Sequence, residues 1–124
     1  ISVQTCGNPI SYYNLILGTS DDDILIGTNS SDLIFSFAGN DIISGEQGND
    51  CILAGEGDDI VFGGQGNDNI SGGSGSDIIK GQSGEDILQG GIGLDIINGG
   101  SDLDVYKNVD ELNDDLVLNC EITE

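Results

Sequence analysis

An aspartate returns every nine residues, ten times without a slip: Asp23, Asp32, Asp41, Asp50, Asp59, Asp68, Asp77, Asp86, Asp95 and Asp104. Around it, residues 18–107 divide into ten nonapeptides with no insertion or deletion. The first reads GTSDDDILI, the sixth GGQGNDNIS, the seventh GGSGSDIIK and the ninth GGIGLDIIN. Aspartate holds the sixth place of each unit. The eighth is always apolar or aromatic: Leu25, Ile34, Ile43, Ile52, Val61, Ile70, Ile79, Leu88, Ile97 and Tyr106. Of 21 glycines, 20 stand at places one, two or four, and only Gly7 lies elsewhere. Units this small cannot bury a core alone, so the period requires them to stack.

The register also decides against disorder. A formal charge of -21, with 23 acidic residues against Lys80 and Lys107, resembles the composition of an unfolded acidic chain. Such a chain has no reason to keep glycine and aspartate in phase over 90 residues. The same charge repels nucleic acid and anionic lipid and attracts multivalent cations. The apolar runs are too short for a membrane-spanning helix. Histidine is absent, which removes most general-base, nucleophile-activation and zinc-site designs.

Within a unit, places seven to nine suit a short strand pointing outward, inward, outward. The inward residues then form one apolar column. Places one to six must turn the chain, and glycine there admits positive φ and close approach of backbone to an ion. Aspartates stacked at the spacing of parallel strands, about 4.8 Å, repel one another unless a hard divalent cation lies between them. Calcium accepts carboxylates and main-chain carbonyls in flexible geometry. The bland alternative is that the aspartates cap turns, which explains a preference for Asp but not its presence in all ten units.

The unit resembles the G-G-x-G-x-D-x-U-x repeat of the RTX family (repeats-in-toxin, haemolysin-type calcium-binding repeats) over residues 18–107. The resemblance implies an all-β, right-handed parallel β-roll, or solenoid, with two repeats per turn. Odd and even repeats build opposite sheets, and each ion sits between loops two units apart. The odd series is Asp23, Asp41, Asp59, Asp77 and Asp95; the even series is Asp32, Asp50, Asp68, Asp86 and Asp104. Five loops enclose four gaps in each series, so the expected maximum is eight Ca2+, with folding coupled to their binding. Departures from the unit occur at place four (Asp21, Ser30, Asp102), place one (Ser36, Ala54) and place two (Phe37). They mark the first three loops and the last as the weakest sites.

Residues 1–17 read as an N-terminal cap over the first open turn. Residues 108–124 read as a C-terminal cap or tail, with Leu116–Asn119 as a final strand or lid or, alternatively, a frayed end. Acidic residues Asp110, Glu111, Asp114 and Asp115 lie there. Of three cysteines, Cys6 and Cys51 form the preferred bridge, since the caps, and with them Cys6 and Cys120, stand far apart. Cys120 is left as a free thiol or an intermolecular link. A first residue of Ile rather than Met reads as removal of an export signal. That, with the calcium requirement, gives a secreted, extracellular or cell-surface expectation. Asn29 and Asn69 begin N-x-S sequons.

Place seven of the odd units is Ile24, Ile42, Ile60, Ile78 and Ile96, an outward ladder. Either β-branched residues simply suit strands, or the ladder is a face that another chain or the C-terminal tail covers. Two roles follow. One is a structural roll that self-associates through this face or its ends into a matrix, coat or filament. The other is a calcium-responsive binding or secretion module of a larger toxin or enzyme system. No catalytic constellation is present, and outward isoleucines in place of Thr or Asx disfavour ice binding.

Overall fold

The computed structural model describes residues 4–107 and 115–123. Each repeat contributes one short strand, and consecutive repeats alternate between two sheets. One sheet has seven strands: β3 (Asn14–Leu17), β5 (Asp32–Phe35), β7 (Cys51–Leu53), β9 (Asn69–Ser71), β11 (Ile87–Gln89), β13 (Val105–Lys107) and β15 (Glu121–Thr123). The other has six: β4 (Ile24–Ile26), β6 (Ile42–Ser44), β8 (Ile60–Phe62), β10 (Ile78–Lys80), β12 (Ile96–Asn98) and β14 (Leu116–Leu118). Every pairing within these two sheets is parallel. Ile24 faces Ile42 and Ile42 faces Ile60, a step of two repeats. The fold is therefore an all-β parallel solenoid with two strands per coil, as the repeat requires.

The out-in-out reading of places seven to nine holds along the stack. Ile34, Ile43, Ile52, Val61, Ile70, Ile79, Leu88, Ile97 and Tyr106 are buried in one cluster, with Ile16, Leu25 and Val117 packed against it. A three-residue strand offers one inward side chain, so the core is a single column one residue wide.

Three strands outside the repeats prolong the sheets. Asn14 pairs with Asp32 and Ile16 with Ile34, so β3 takes the place of a repeat before the first. At the other end Val117 pairs with Ile97, and β15 extends the partner sheet from β13. Pairing needs only extended backbone and an apolar middle residue, so the strand outlasts the Gly/Asp signature of the loops. Residues 108–114, which include Asp110, Glu111 and Asp114, lie outside the described residues. No helix among the described residues is long and apolar enough to cross a membrane.

The N-terminal segment is fastened to the flank of the roll. β1 (Gln4–Thr5) and β2 (Asn8–Pro9) form a small antiparallel pair, and Cys6 is disulfide-bonded to Cys51 of β7, Cα to Cα 6.1 Å. Cys51 and Leu33 occupy outward place seven, yet both are buried. The bridge expected from sequence is thus present. It closes a loop of 45 residues, a constraint worth about 4 kcal/mol in a chain-entropy account. Replacing Cys6 and Cys51 together by alanine should lower the urea midpoint of the calcium-loaded protein by a corresponding amount. An unchanged midpoint would show the bridge to be mechanically idle.

Candidate metal centres

The ten repeat aspartates fall into two files, one along each edge of the roll, where the loops lead into the strands. Nine are buried, from Asp32 to Asp104, at 0–2% exposure; Asp23, at the N-terminal end, is half-buried. The two carboxylate oxygens do different things. Oδ1 accepts the main-chain N–H of the aspartate two repeats earlier, at 2.8 Å for Asp23 to Asp41, Asp50 to Asp68 and Asp86 to Asp104 alike. This rung ties successive coils together, so turn-building is part of the aspartate's work.

Oδ2 is what turn-building leaves over. In Asp41, Asp50, Asp59, Asp68, Asp77, Asp86 and Asp104 it is buried with no hydrogen-bond donor. An unsatisfied buried oxygen of this kind costs about 1–3 kcal/mol, and more when charged. Each lies beside the first residue of its own repeat and below a carbonyl of the next coil in the same file. A Cβ built on Gly63 would stand 2.7 Å from Asp68 Oδ2 and 2.8 Å from the Gly81 carbonyl oxygen. The same pair of oxygens converges on Gly45 (Asp50, Gly63) and on Gly81 (Asp86, Gly99). These are oxygen cradles kept open by glycine.

Burial sets the electrostatics. It pushes Asp50, Asp77 and Asp86 up to about 8 and Asp68 up to about 9, against an ordinary value of 3.8, and carboxylates of neighbouring coils add to the rise. Asp59 reaches about 6, and Asp104 is also raised, in both cases chiefly by burial. Lys80 does not relieve this charge, because its ammonium stands over the Phe62 ring on the outer face, 5.7 Å from the centroid. The files call for an external cation.

The donor set says which kind. Among the described residues no group of three or more His, Cys, Asp or Glu side chains converges on one point. A site here would combine one or two carboxylates with main-chain carbonyls, all hard oxygen donors. That set fits calcium and does not fit zinc or copper. The family model for the RTX calcium-binding nonapeptide repeat matches the chain in four overlapping copies, over residues 17–52, 37–70, 48–79 and 71–106. The chain belongs to the RTX family. Its repeats are calcium-binding repeats, and stacked Asp-rich turns are where such repeats take the ion. No curated protein matches the chain closely enough to compare.

The RTX loop explains the glycines at places two and four. Gly64 has φ +91° and Gly66 φ +105°, and each lies against a carbonyl of the coil below. Phe37, Glu46 and Gln82 at place two and Asp102 at place four hold the same left-handed conformation without glycine's freedom. The last loop therefore keeps its shape despite Asp102, whose carboxylate accepts the Gly84 N–H. It also keeps its cradle, where Asp104 Oδ2 and the Asn119 carbonyl flank Gly99. The first two loops are different. Thr19 N–H donates to Asp23 Oδ2 and Thr28 N–H to Asp32 Oδ2, both at 2.7 Å.

Three parts of the RTX roll were not legible as site residues. Asp115 continues the odd file, accepting the Asp95 N–H at Oδ1 (2.9 Å) and the Tyr106 hydroxyl at Oδ2. The step there is 20 residues rather than 18, which hides it from a nine-residue count. Cys120 precedes β15 as Asp104 precedes β13, so it ends the even file; burial, with Asp104 and Asp86 nearby, pushes its thiol up. Place five carries its own ladder: Asn67 N–H donates to Asn49 Oδ1, and Glu85 N–H to Asn67 Oδ1. The prevalence of Asx at place five was the available signal.

Proposed function

We propose that this chain is a secreted calcium-binding roll whose folding is coupled to calcium ligation by Asp23, Asp32, Asp41, Asp50, Asp59, Asp68, Asp77, Asp86, Asp95 and Asp104, and that it serves a structural role by self-association. The observation that carries the calcium coupling is the file of buried carboxylate oxygens without donors. A folded chain without cations would keep them protonated or repelling; a cation between coils satisfies them and joins one coil to the next. Among the described residues the carboxylates face main-chain carbonyls and one another, with the Cys120 thiol, pushed up by burial, at the end of the even file, so they read as ion ligands.

Self-association rests on the outer face of the six-stranded sheet. Ile24 is 72% exposed and Ile96 45%, with Ile42, Ile60 and Ile78 between them and Leu116 continuing the line beyond Ile96. A straight apolar ladder with a regular strand spacing matches a second copy of itself. In the metal-free chain the charge of -21 opposes such contact; bound calcium offsets it.

The test is circular dichroism with light scattering during calcium addition to the metal-free protein, with magnesium as control. Cooperative gain of β signal, followed by growth in particle mass, is the expected course. An Ile42→Lys, Ile78→Lys double variant should keep the first and lose the second. Discrete monomers in the wild type at saturating calcium would reject the self-associating role and favour a module of a larger system.

A further inference from the structure

The repeat aspartates are not equivalent, and what separates them is the first residue of each unit or, in the first two units, where Gly18 and Gly27 hold that place, the second. Cradles flanked by glycine are open at Asp50, Asp68, Asp77, Asp86 and Asp104, where Gly45, Gly63, Gly72, Gly81 and Gly99 leave room between Oδ2 and the carbonyl above. At Asp41 that first residue is Ser36, and its hydroxyl donates to the Ala54 carbonyl, the very oxygen that would face an ion. At Asp59 it is Ala54. Its backbone keeps the common register, N–H to the Ser71 carbonyl at 2.9 Å as Gly63 N–H bonds Lys80 at 2.8 Å. Its methyl therefore occupies the point at which the glycine cradles converge. Asp23 and Asp32 need no ion at Oδ2, since Thr19 and Thr28 fill that role.

We infer that calcium loads the roll asymmetrically: the even file binds a continuous run of ions along Asp50, Asp68, Asp86 and Asp104, while in the odd file Ser36 and Ala54 shut the cradles of Asp41 and Asp59. The N-terminal coils are then closed by the Thr19 and Thr28 N–H groups, the Ser36 hydroxyl, the Ala54 methyl and the Cys6–Cys51 bridge, and the metal-dependent part lies beyond them. This inference rests on the calcium reading and narrows the set of ligands it names.

Calcium stoichiometry of the whole chain, by equilibrium dialysis and titration calorimetry, decides it. Ser36→Gly and Ala54→Gly should each bind one ion more than wild type, and the double variant two more. Gly63→Ala, which copies Ala54 into the even file, should bind one fewer. Both glycine variants move toward the common repeat and retain the fold, so the gain arm stands even if Gly63→Ala is unstable. Unchanged stoichiometry in Ser36→Gly and Ala54→Gly would overturn the asymmetry while leaving calcium binding intact. A wild-type chain that bound no calcium would bring down the calcium reading itself, and this inference with it.

Discussion

Removal of calcium from the loaded protein should abolish most of its β-sheet circular dichroism in one cooperative step, and magnesium should fail to restore it. The magnitudes are set coil by coil. Each strand buries one column residue, such as Ile70 or Ile79, a gain of about 1.5–3 kcal/mol. Each metal-free loop of the open set strands one buried carboxylate oxygen, a cost of about 1–3 kcal/mol when neutral and more when ionised. The stranded oxygen therefore offsets much of what the column residue gains, before the chain's ordering cost of about 1–2 kcal/mol per residue, and an ion that satisfies it tips the coil toward folding. Coils in a solenoid gain stability only from neighbours, and the Asp-to-Asp rungs make each loop depend on the next. Loss should therefore spread along the stack. Magnesium demands near-ideal octahedral geometry and gives up water reluctantly, a poor match to a carbonyl-rich slot. A spectrum indifferent to chelator would show that the column and rungs suffice alone.

The stacking was legible because it rests on a period, and a period survives local exceptions. Place eight is apolar in all ten units, so the column from Leu25 to Tyr106 follows at once, and the odd and even files follow from two repeats per turn. The loops were legible where they obey the repeat and obscure where a side chain replaces a function of the backbone. Nothing in the letter sequence distinguishes Thr19, which satisfies Asp23 by itself, from an ordinary loop threonine. Asp115 was hidden by a two-residue change of step, and Asn14 by the absence of glycine from the five residues before it, although both sit in register. Cys51 was legible as outward by place but not as buried, because burial there comes from chain outside the repeat.

In the metal-free protein, acid should take over part of calcium's work. The folded values of Asp50, Asp77 and Asp86 at about 8, Asp68 at about 9 and Asp59 at about 6 all lie above the 3.8 of an exposed carboxyl. A group raised on folding binds its proton more tightly in the folded state. Its contribution to stability is complete below about 3.8 and is lost as pH climbs through the folded value. The window here therefore runs from about pH 4, where the unfolded carboxyls ionise, to about pH 9, the highest folded value. Protonation removes the repulsion between coils and lets Oδ2 act as a donor toward the carbonyl above it, such as that of Gly81 above Asp68. Dialysed free of metal, the chain should show more β signal at about pH 5 than at about pH 9, with sedimentation confirming that the acid form is compact and not a precipitate. Calcium should reverse the order, because an ion that needs the ionised carboxylate competes with the proton; its affinity should rise with pH over the same window. A metal-free signal that instead grew toward alkaline pH would mean that the files are held ionised by groups other than a bound cation.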